Sequence, residues 1–479
     1  MAIILPMINL FPDLPIIRHK QKETIANLKA GEIDDLRVSN KLPIDDIVKY
    51  GLQENFLKDG LKSFPDPRKT FDIPIEALLL PQVLQRLNDE HSLLLAPYML
   101  NSAELMTELG YSARVLEEGF NNKNTYERVT PFHGETLKHV LLSTKVDQLF
   151  NWFNTDWNQL MKLNAPGRTR QYIIDGTEIH VPKHLYKKYD GAGVVTNNEG
   201  EVRYGYKVVW IQEIIDRKGV IRSMTMSPIQ THDLKLGKEL IADFDFEEGA
   251  LLLMDRGFLD GEWITHLKYD RKIDVCMPLK CNSEITQFAI AQAEFDNKWQ
   301  PHPTREKQKI CEIKKSELEW SLCQSFNSGV LVRFTKKNGE EENIVFVDTR
   351  AGISGKNILA TYDQRTEIEE SHRQMKCFQG LEKLPSKKLV HVVFRIIMGT
   401  IAYNLFNLFL NSEKCSTLED YTLKTHRQRR RSSERNPEII IYTGDTYAIL
   451  NNLDFLDIIL TLKKSTQMKL RKIFKELTS

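Results

Sequence analysis

The feature that most constrains the fold is a change in residue pattern near residue 170, where strand-like segments begin and then alternate with helical ones. Three segments within 170–229 are rich in β-branched and aromatic residues and are separated by Gly, Asn and Asp, the pattern of an antiparallel meander. Two short apolar runs follow at 250–255 and 273–279, each preceded by a helical stretch. This alternation predicts an α/β layer whose later strands are buried on both faces.

The order of three strands, helix, strand, helix and strand is that of the ribonuclease H-like fold. Residues 281–355 interrupt it with alternating apolar and polar stretches and an Asn-Gly turn signal at 338–339, which predicts a small antiparallel β insertion. Helical character returns at 356–378. We therefore predict an α/β fold: a ribonuclease H-like core interrupted by the insertion, with helical N-terminal and C-terminal regions. The predicted domains are an N-terminal region at 1–165, the core at 166–280 and 356–412, the insertion at 281–355, and a C-terminal tail at 413–479.

One apolar segment, 392–410, is long enough to cross a bilayer. It contains Arg395, Asn404 and Asn407, and a charge at membrane depth is expensive, so a buried core helix is the prediction. The six cysteines are scattered, without a pair at metal-ligand spacing, which is typical of reduced thiols in the cytosol. We expect a cytoplasmic protein that does not enter a membrane.

The charges balance almost completely, with 66 Lys and Arg against 65 Asp and Glu and a formal net charge of +1. Total charge therefore gives no sign of an acidic partner, and any phosphate-binding surface must come from local placement. One basic run, 426–435, contains five Arg and one Glu. It is either a phosphate-binding segment or a solvated basic loop. Its candidate side chains are Arg427, Arg429, Arg430 and Arg431.

Three carboxylates stand out by their positions. Asp175 lies inside the first predicted strand, Asp255 ends the fourth, and Glu369 lies on the late helix. A carboxylate within or at the end of an apolar strand is unusual unless it is paired or binds a metal ion. Because side chains at the carboxyl ends of strands converge on one crevice of an α/β sheet, we expect these groups to meet in the fold.

The residues around Glu369 add a second pattern. On one continuous helix, Tyr362, Arg365 and Lys376 would share a narrow stripe with Glu369. That face would present an aromatic hydroxyl, two cations and a carboxylate. The alternative is an ordinary solvated helix whose charges pair along its surface.

Two strand-borne aspartates and a helix glutamate suit metal-dependent phosphodiester chemistry. Two Mg²⁺ ions can activate the attacking oxygen and stabilise the leaving oxygen. Magnesium prefers carboxylates and water to His or Cys, so the expected cofactor is a pair of Mg²⁺ ions, with Mn²⁺ as a substitute. Neighbouring Arg and Lys side chains would hold phosphate groups.

These residues resemble a known family. The segments DGT (175–177) and DRGF (255–258), with the spacing Y-x2-R-x3-E-x6-K that begins at Tyr362, are similar to the DDE transposases of bacterial insertion sequences, in the branch with the Y-R-E-K signature. The segments IEESHRQMK (368–376) and AYNL (402–405) also look like that family. The resemblance covers residues 170–410.

The resemblance implies that Asp175, Asp255 and Glu369 are catalytic and bind the metal ions. It implies a DNA-binding N-terminal region, a homodimer on double-stranded DNA, binding of terminal inverted repeats, and cleavage followed by attack of the freed 3′ hydroxyl on target DNA. Such a protein would be associated with the nucleoid when it binds DNA. The further candidate DNA contacts are Tyr362, Arg365, Arg373 and Lys376, and Trp299 and Trp320 in the insertion are candidates for stacking on a flipped base or are ordinary core residues.

Two other functions stay open: a catalytically silent DNA-binding protein derived from a transposase, and a related nuclease without strand transfer.

Two local patterns also have alternative interpretations. In the N-terminal region, 102–120 has the outline of two short helices joined at Gly110, which is either a helix-turn-helix or an ordinary helical hairpin. Asp233 is interpreted as the cap of the following helix rather than as a metal ligand.

Overall fold

The structure is a computed structural model. It describes residues 18–39, 44–88, 92–93, 96–100, 103–112, 114–120, 131–161, 170–197, 199–215, 218–315, 318, 320–336, 338–377, 380–384, 386–412, 438–444 and 446–478. The chain divides into two compact units, a terminal unit of residues 1–50 and 412–479 and a central unit of residues 51–411. The five-segment division expected from the sequence stays a prediction.

The described helices and strands are numbered in chain order. The helices are α1 (Gln21–Ala30), α2 (Ile44–Gln53), α3 (Asp59–Lys62), α4 (Ile75–Leu87), α5 (Ala103–Glu108), α6 (Val115–Glu118), α7 (Glu135–Leu142), α8 (Val146–Asn151), α9 (Asn158–Leu160), α10 (Asp233–Asp243), α11 (Gly261–Tyr269), α12 (Glu284–Asp296), α13 (Gly355–Asp363), α14 (Thr366–Cys377), α15 (Leu389–Asn411), α16 (Asn452–Thr461) and α17 (Lys464–Thr478). The strands are β1 (Arg18–His19), β2 (Asp35–Ser39), β3 (Gln171–His180), β4 (Gly193–Thr196), β5 (Val202–Ile215), β6 (Lys218–Pro228), β7 (Leu251–Met254), β8 (Asp274–Pro278), β9 (Gln300–Pro301), β10 (Gln308–Ile313), β11 (Ser328–Thr335), β12 (Glu341–Asp348), β13 (Glu438–Thr443) and β14 (Thr446–Asn451).

The terminal unit is built on a small sheet in which β13 and β14 form an antiparallel hairpin. The N-terminal strands complete it, because β1 pairs in parallel with β14 and β2 pairs antiparallel with β13. Leu36, Ile441, Leu450 and Phe455 belong to its buried core. The C-terminal region thus has the expected helices, α16 and α17, together with a hairpin that the sequence pattern did not predict.

The central unit contains the predicted core. Strands β3, β5 and β6 form the antiparallel meander, while β7 pairs in parallel with β3 and β8 in parallel with β7. The spatial order is β6-β5-β3-β7-β8, with α10 before β7 and α11 before β8. This order and these directions are those of the ribonuclease H-like fold, so the predicted fold class is confirmed.

The β insertion continues the core sheet. Strand β12 pairs antiparallel with β8, and β11 and β10 follow outward in the order β12-β11-β10. Gly339, in the predicted turn, has a φ of +87°, a conformation that favours glycine. The insertion also contains α12, which the alternating pattern did not predict.

The two faces of β3 contact different layers. Tyr172 and Ile174 belong to a core cluster with residues of α10 and α11. Ile173 belongs to a second cluster that includes Ile358 of α13 and Ile368 of α14. Because side chains alternate along a strand, Asp175 points to the same side as Ile173. The strand pattern therefore directs the first aspartate toward the late helices.

Helix α15 is long and apolar enough to span a membrane by length and composition, and most of it is buried inside the central unit, as predicted. Its polar side chains have partners on β6. The Asn404 side chain accepts a hydrogen bond from Ile221 N (2.8 Å) and donates one to Ile221 O (2.7 Å), and Asn407 donates to Gly219 O (2.7 Å). These asparagines bond to backbone groups on the unpaired edge of β6, which would otherwise lack hydrogen-bond partners.

We expect Asn404→Leu to destabilise the central unit. Leucine would leave the buried N–H and C=O of Ile221 without their partner, at a cost of roughly 1–3 kcal/mol for each group. Urea unfolding followed by tryptophan fluorescence measures this change, because all six tryptophans lie within residues 51–411.

Asn411→Leu is the matched control. Asn411 lies on the same helix and donates one 3.2 Å bond to Ile215 O, so its replacement should cost less. Equal losses for the two variants would show that the pairing of Asn404 with the strand edge adds no specific stability.

Candidate active site

The two aspartates lie side by side on neighbouring strands, Asp175 within β3 and Asp255 directly after β7. Ile174 of β3 pairs with Met254 of β7 in a parallel register, so the next residue on each strand is an aspartate. The fold thus brings Asp175 and Asp255 together, as predicted, although only Asp255 lies at the carboxyl end of its strand.

Each aspartate is held in the same way. The Gly176 backbone N–H donates to Asp175 Oδ1 (3.0 Å), and the Arg256 backbone N–H donates to Asp255 Oδ1 (2.6 Å). One carboxylate oxygen of each aspartate is therefore fixed by the following peptide. The other oxygen, Oδ2, is directed toward the helix side of the site.

Glu369 reaches this edge from α14. The preceding residue, Ile368, is fully buried in the cluster that covers β3 and β7. On the next turn, Ser371 is hydrogen-bonded to the hydroxyl of Tyr403 on α15 (2.7 Å). Glu369 itself is exposed, with 59% of its side-chain surface accessible. Helix α14 is thus anchored on its buried side while it presents a carboxylate to solvent.

Arg365 lies between all three carboxylates. Its Nη2 atom is 3.1 Å from Asp175 Oδ2 and 3.7 Å from Asp255 Oδ2, and its Nη1 atom donates to Glu369 Oε1 at 2.6 Å. Only 13% of the Arg365 side chain is exposed. The predicted convergence of the triad is therefore present, with a guanidinium at its centre.

The prediction of one continuous helix over 356–378 is wrong. Helix α13 ends at Asp363 and α14 begins at Thr366, with hydrogen bonds from Arg365 N to Tyr362 O and from Ile368 N to Arg365 O at the junction. These bonds span three residues instead of four, which tightens the backbone and separates the helices. Tyr362 therefore does not share a helix with Glu369, and its ring packs on Phe346 of β12 at 5.0 Å between centroids.

The other two candidate cations of this region lie on α14. Lys376 is 3.8 Å from Glu382, and Arg373 pairs with Glu370. Arg373 and Glu370 both lie at the surface, away from the Arg365 contacts. Each of these cations therefore has an acidic neighbour that would compete with a phosphate group. The basic candidates Arg427, Arg429, Arg430 and Arg431 lie outside the described residues.

The two candidate stacking tryptophans are partly buried against the large core cluster that includes residues of both the insertion and the central sheet. The guanidinium of Arg333 lies 4.2 Å from the centroid of the Trp299 ring, and Trp320 lines a surface cavity with Leu318 and Phe326. The most exposed aromatic side chain on α12 is Phe295, at 84%. Base stacking by either tryptophan stays a prediction.

Asp233 has a different role from the cap that the sequence suggested. His232 is the N-cap of α10, because its ring accepts a hydrogen bond from Leu234 N. The Asp233 carboxylate lies beside Gly176 and pairs with Lys207 at 3.2 Å. A Cβ at Gly176 would come within 2.4 Å of Asp233 Oδ1. The glycine of the DGT segment therefore makes room for a fourth carboxylate next to β3.

Trp210 and His372 form a second feature that sequence patterns did not identify. Trp210 is the cross-strand partner of Asp175, and its ring lies 4.8 Å from that of His372 on α14. Burial, with nearby Lys376 and Arg365, lowers the pKa of His372 to about 3. His372 is therefore neutral at physiological pH and supports the site by packing. No periodicity in the sequence signals this pair.

The donor set of the triad fits a hard divalent cation. Three carboxylates meet there, Asp175 mostly buried and Glu369 exposed, and oxygen ligands of this kind suit Mg²⁺. Among the described residues, however, no three His, Cys, Asp or Glu side chains are close enough together to ligate an ion as they stand. Arg365 explains this spacing, since its guanidinium separates the carboxylate oxygens.

The environment of Asp175 raises its pKa. Burial has the largest effect, opposed by Arg365 and the Gly176 N–H and assisted by Asp255 and Asp233, and the resulting pKa is about 6. A carboxyl group with a raised pKa in the folded state favours folding while it is protonated, and this contribution is lost as the pH rises through about 6.

We therefore expect Asp175→Asn to raise the thermal unfolding midpoint at pH 7.5 in the presence of a chelator. Near pH 4, where the wild-type carboxyl group is protonated in the folded state, the difference should disappear. Tryptophan fluorescence during thermal unfolding across this pH range measures it. A variant that is equally stabilised at both pH values would contradict the assignment of the titration to Asp175.

Comparison with known proteins identifies the family to which the chain belongs. A family model described as a transposase DDE domain matches residues 166–405, half of the chain. No curated protein matches the chain. A similar solved structure is that of a piggyBac transposase synaptic complex with hairpin DNA; the two chains are 11% identical, the match covers 96% of this chain and 85% of that chain, and the TM-score is 0.40. The family match spans the strands and helices that carry Asp175, Asp255 and Glu369, and the chain belongs to the transposase DDE domain family.

Proposed function

We propose that this protein is an active DNA transposase that cuts the ends of a mobile element and joins them to target DNA. The observation that carries the proposal is the convergence of Asp175, Asp255 and Glu369 around one cation. Membership of the DDE family supports transposase chemistry in general. The substrate would be double-stranded DNA, with the terminal inverted repeats of the element and the target as its two forms.

The three carboxylates are the proposed ligands for Mg²⁺, with Mn²⁺ as a substitute. When bound, two such ions would activate the attacking oxygen and stabilise the leaving oxygen of the phosphodiester. The protein supplies the geometry: the Gly176 and Arg256 peptides hold one oxygen of each aspartate. The second oxygen of each faces Arg365, at 3.1 Å for Asp175 and 3.7 Å for Asp255.

Cationic side chains next to the triad would hold the DNA backbone. Lys376 and Arg373 lie on α14 with Glu369, and both are exposed enough to exchange their acidic partners for phosphate. Arg365 and Tyr362 are the proposed contacts closest to the reacting phosphate. The basic run at 426–435 would add contacts that depend on charge rather than on sequence.

The complete reaction requires two element ends, so we propose that a homodimer binds them together. Water would first release a 3′ hydroxyl group, and that hydroxyl would then attack a target phosphodiester. The proposed location is the cytoplasm, at the nucleoid when the protein is bound to DNA. The N-terminal region is the proposed reader of the terminal repeats.

We expect Glu369→Gln to abolish Mg²⁺-dependent cleavage while DNA binding persists, because a neutral amide cannot complete an anionic ligand set. The substrate is a duplex that carries the inverted repeats flanking the gene. Cleavage is measured on a sequencing gel, and binding is measured by a mobility shift at fixed salt concentration.

Glu370→Gln is the matched control. Glu370 adjoins Glu369 in the sequence but pairs with Arg373 instead of the triad cation. Full cleavage by Glu369→Gln would overturn the proposed site. Wild-type protein that nicks DNA without joined products would be a nuclease, and one that binds without cutting would be a silent DNA-binding protein.

A further inference from the structure

One guanidinium contacts carboxylates from three separate elements: β3, the end of β7, and α14. We propose that Arg365 is a positioning residue that holds the triad together and competes with the divalent ion for the same carboxylate oxygens. The inference rests on the proposed function, because the ion is the one assigned there to the triad. It gives Arg365 a role that precedes any contact with DNA.

The competition follows from which oxygen atoms are available. Oδ1 of Asp175 and Oδ1 of Asp255 accept hydrogen bonds from backbone N–H groups. The Oδ2 atoms, which remain for a metal ion, are those that Arg365 Nη2 approaches at 3.1 and 3.7 Å. An ion bound between these oxygens would need the space that the guanidinium fills.

Electrostatic repulsion explains why the Arg365 guanidinium lies among the three carboxylates. Three carboxylates at one edge repel each other, and Arg365 places a single positive charge among them. A divalent ion has twice that charge in a smaller volume and also forms direct bonds to oxygen. In addition, Arg365 Nε is buried without a hydrogen-bond partner among the described residues, so the guanidinium is incompletely satisfied in this position.

Arg365 lies at a helix junction, between the last residue of α13 and the first residue of α14. In the proposed exchange only its side-chain torsions change, and the hydrogen bonds of both helices are kept. The displaced guanidinium retains its planar set of donors, which suits two-point binding of a phosphate.

This arrangement couples the two ligands of the enzyme. A phosphate that draws Arg365 away from the carboxylates raises the affinity of the triad for the ion. By linkage, the ion raises the affinity for phosphate by the same factor. Metal ions and DNA therefore assemble at the site cooperatively.

The test is Mn²⁺ binding by the full chain without DNA, measured from the electron paramagnetic resonance signal of the free ion at pH 7.5. Arg365→Gln should bind Mn²⁺ more tightly than wild type by about tenfold, because it removes the competing charge. Arg365→Lys retains the charge but cannot bridge three carboxylates, so its affinity should lie between the two. Arg305→Gln, which removes an arginine that pairs with Asp363 outside the triad, should bind like wild type.

Thermal unfolding is the second measurement, and it shows whether Arg365→Gln still folds. With a chelator present, Arg365→Gln should unfold at a lower temperature than wild type at pH 7.5, and saturating Mn²⁺ should stabilise it more than it stabilises wild type. If Arg365→Gln does not fold without the ion, tighter binding by Arg365→Lys supports the proposal by itself. Binding that is unchanged or weaker in both Arg365 variants would overturn it.

The two proposals fail in different ways. If neither wild type nor any Arg365 variant binds Mn²⁺, the metal site itself is wrong and the competition is refuted with it. If wild type binds and Asp175→Asn does not, the metal site stands. Equal affinities of wild type and Arg365→Gln would then refute the role of Arg365 alone.

Discussion

The repulsion between three carboxylates at one edge of a sheet is the constraint on which the site depends. Parallel pairing of β3 and β7 fixes two of them side by side, and α14 adds the third. Such a cluster is stable only with a compensating cation nearby. Arg365 supplies it from the junction of two helices, four residues before Glu369. The signature spacing of Arg and Glu thus has a structural meaning in addition to any role in binding DNA.

Specific side-chain hydrogen bonds connect the helix that carries Glu369 to α15, and α15 to strand β6. Ser371 ties α14 to Tyr403 on α15, and the next residue, Asn404, pairs with the backbone of Ile221 on β6. The AYNL segment therefore connects the helix that bears Glu369 to the edge strand of the core sheet. Burial of both polar side chains makes these contacts hard to replace, since a lost partner leaves a buried group unsatisfied.

Sequence patterns predicted the parts of the fold that depend on local periodicity. The meander, β7, β8 and the buried helix α15 are all visible as apolar or alternating runs. The two aspartates stand out because Asp175 lies within an apolar strand and Asp255 directly follows one. The break between α13 and α14 was not predicted, because residues 363–376 are polar almost throughout and contain no Gly or Pro to mark a helix end. Non-local partners were also hidden: nothing in the sequence links Asp233 to Gly176, or His372 to Trp210.

The near-neutral composition also takes on a different meaning in the structure. A net charge of +1 says little about DNA, because local pairing decides which charges a phosphate encounters. At the described site, one Arg faces three carboxylates, and Lys376 and Arg373 each have an acidic neighbour. An approaching phosphate would therefore meet excess negative charge until cations compensate it. The proposed cooperativity between ion and DNA depends on that local balance and not on the total charge.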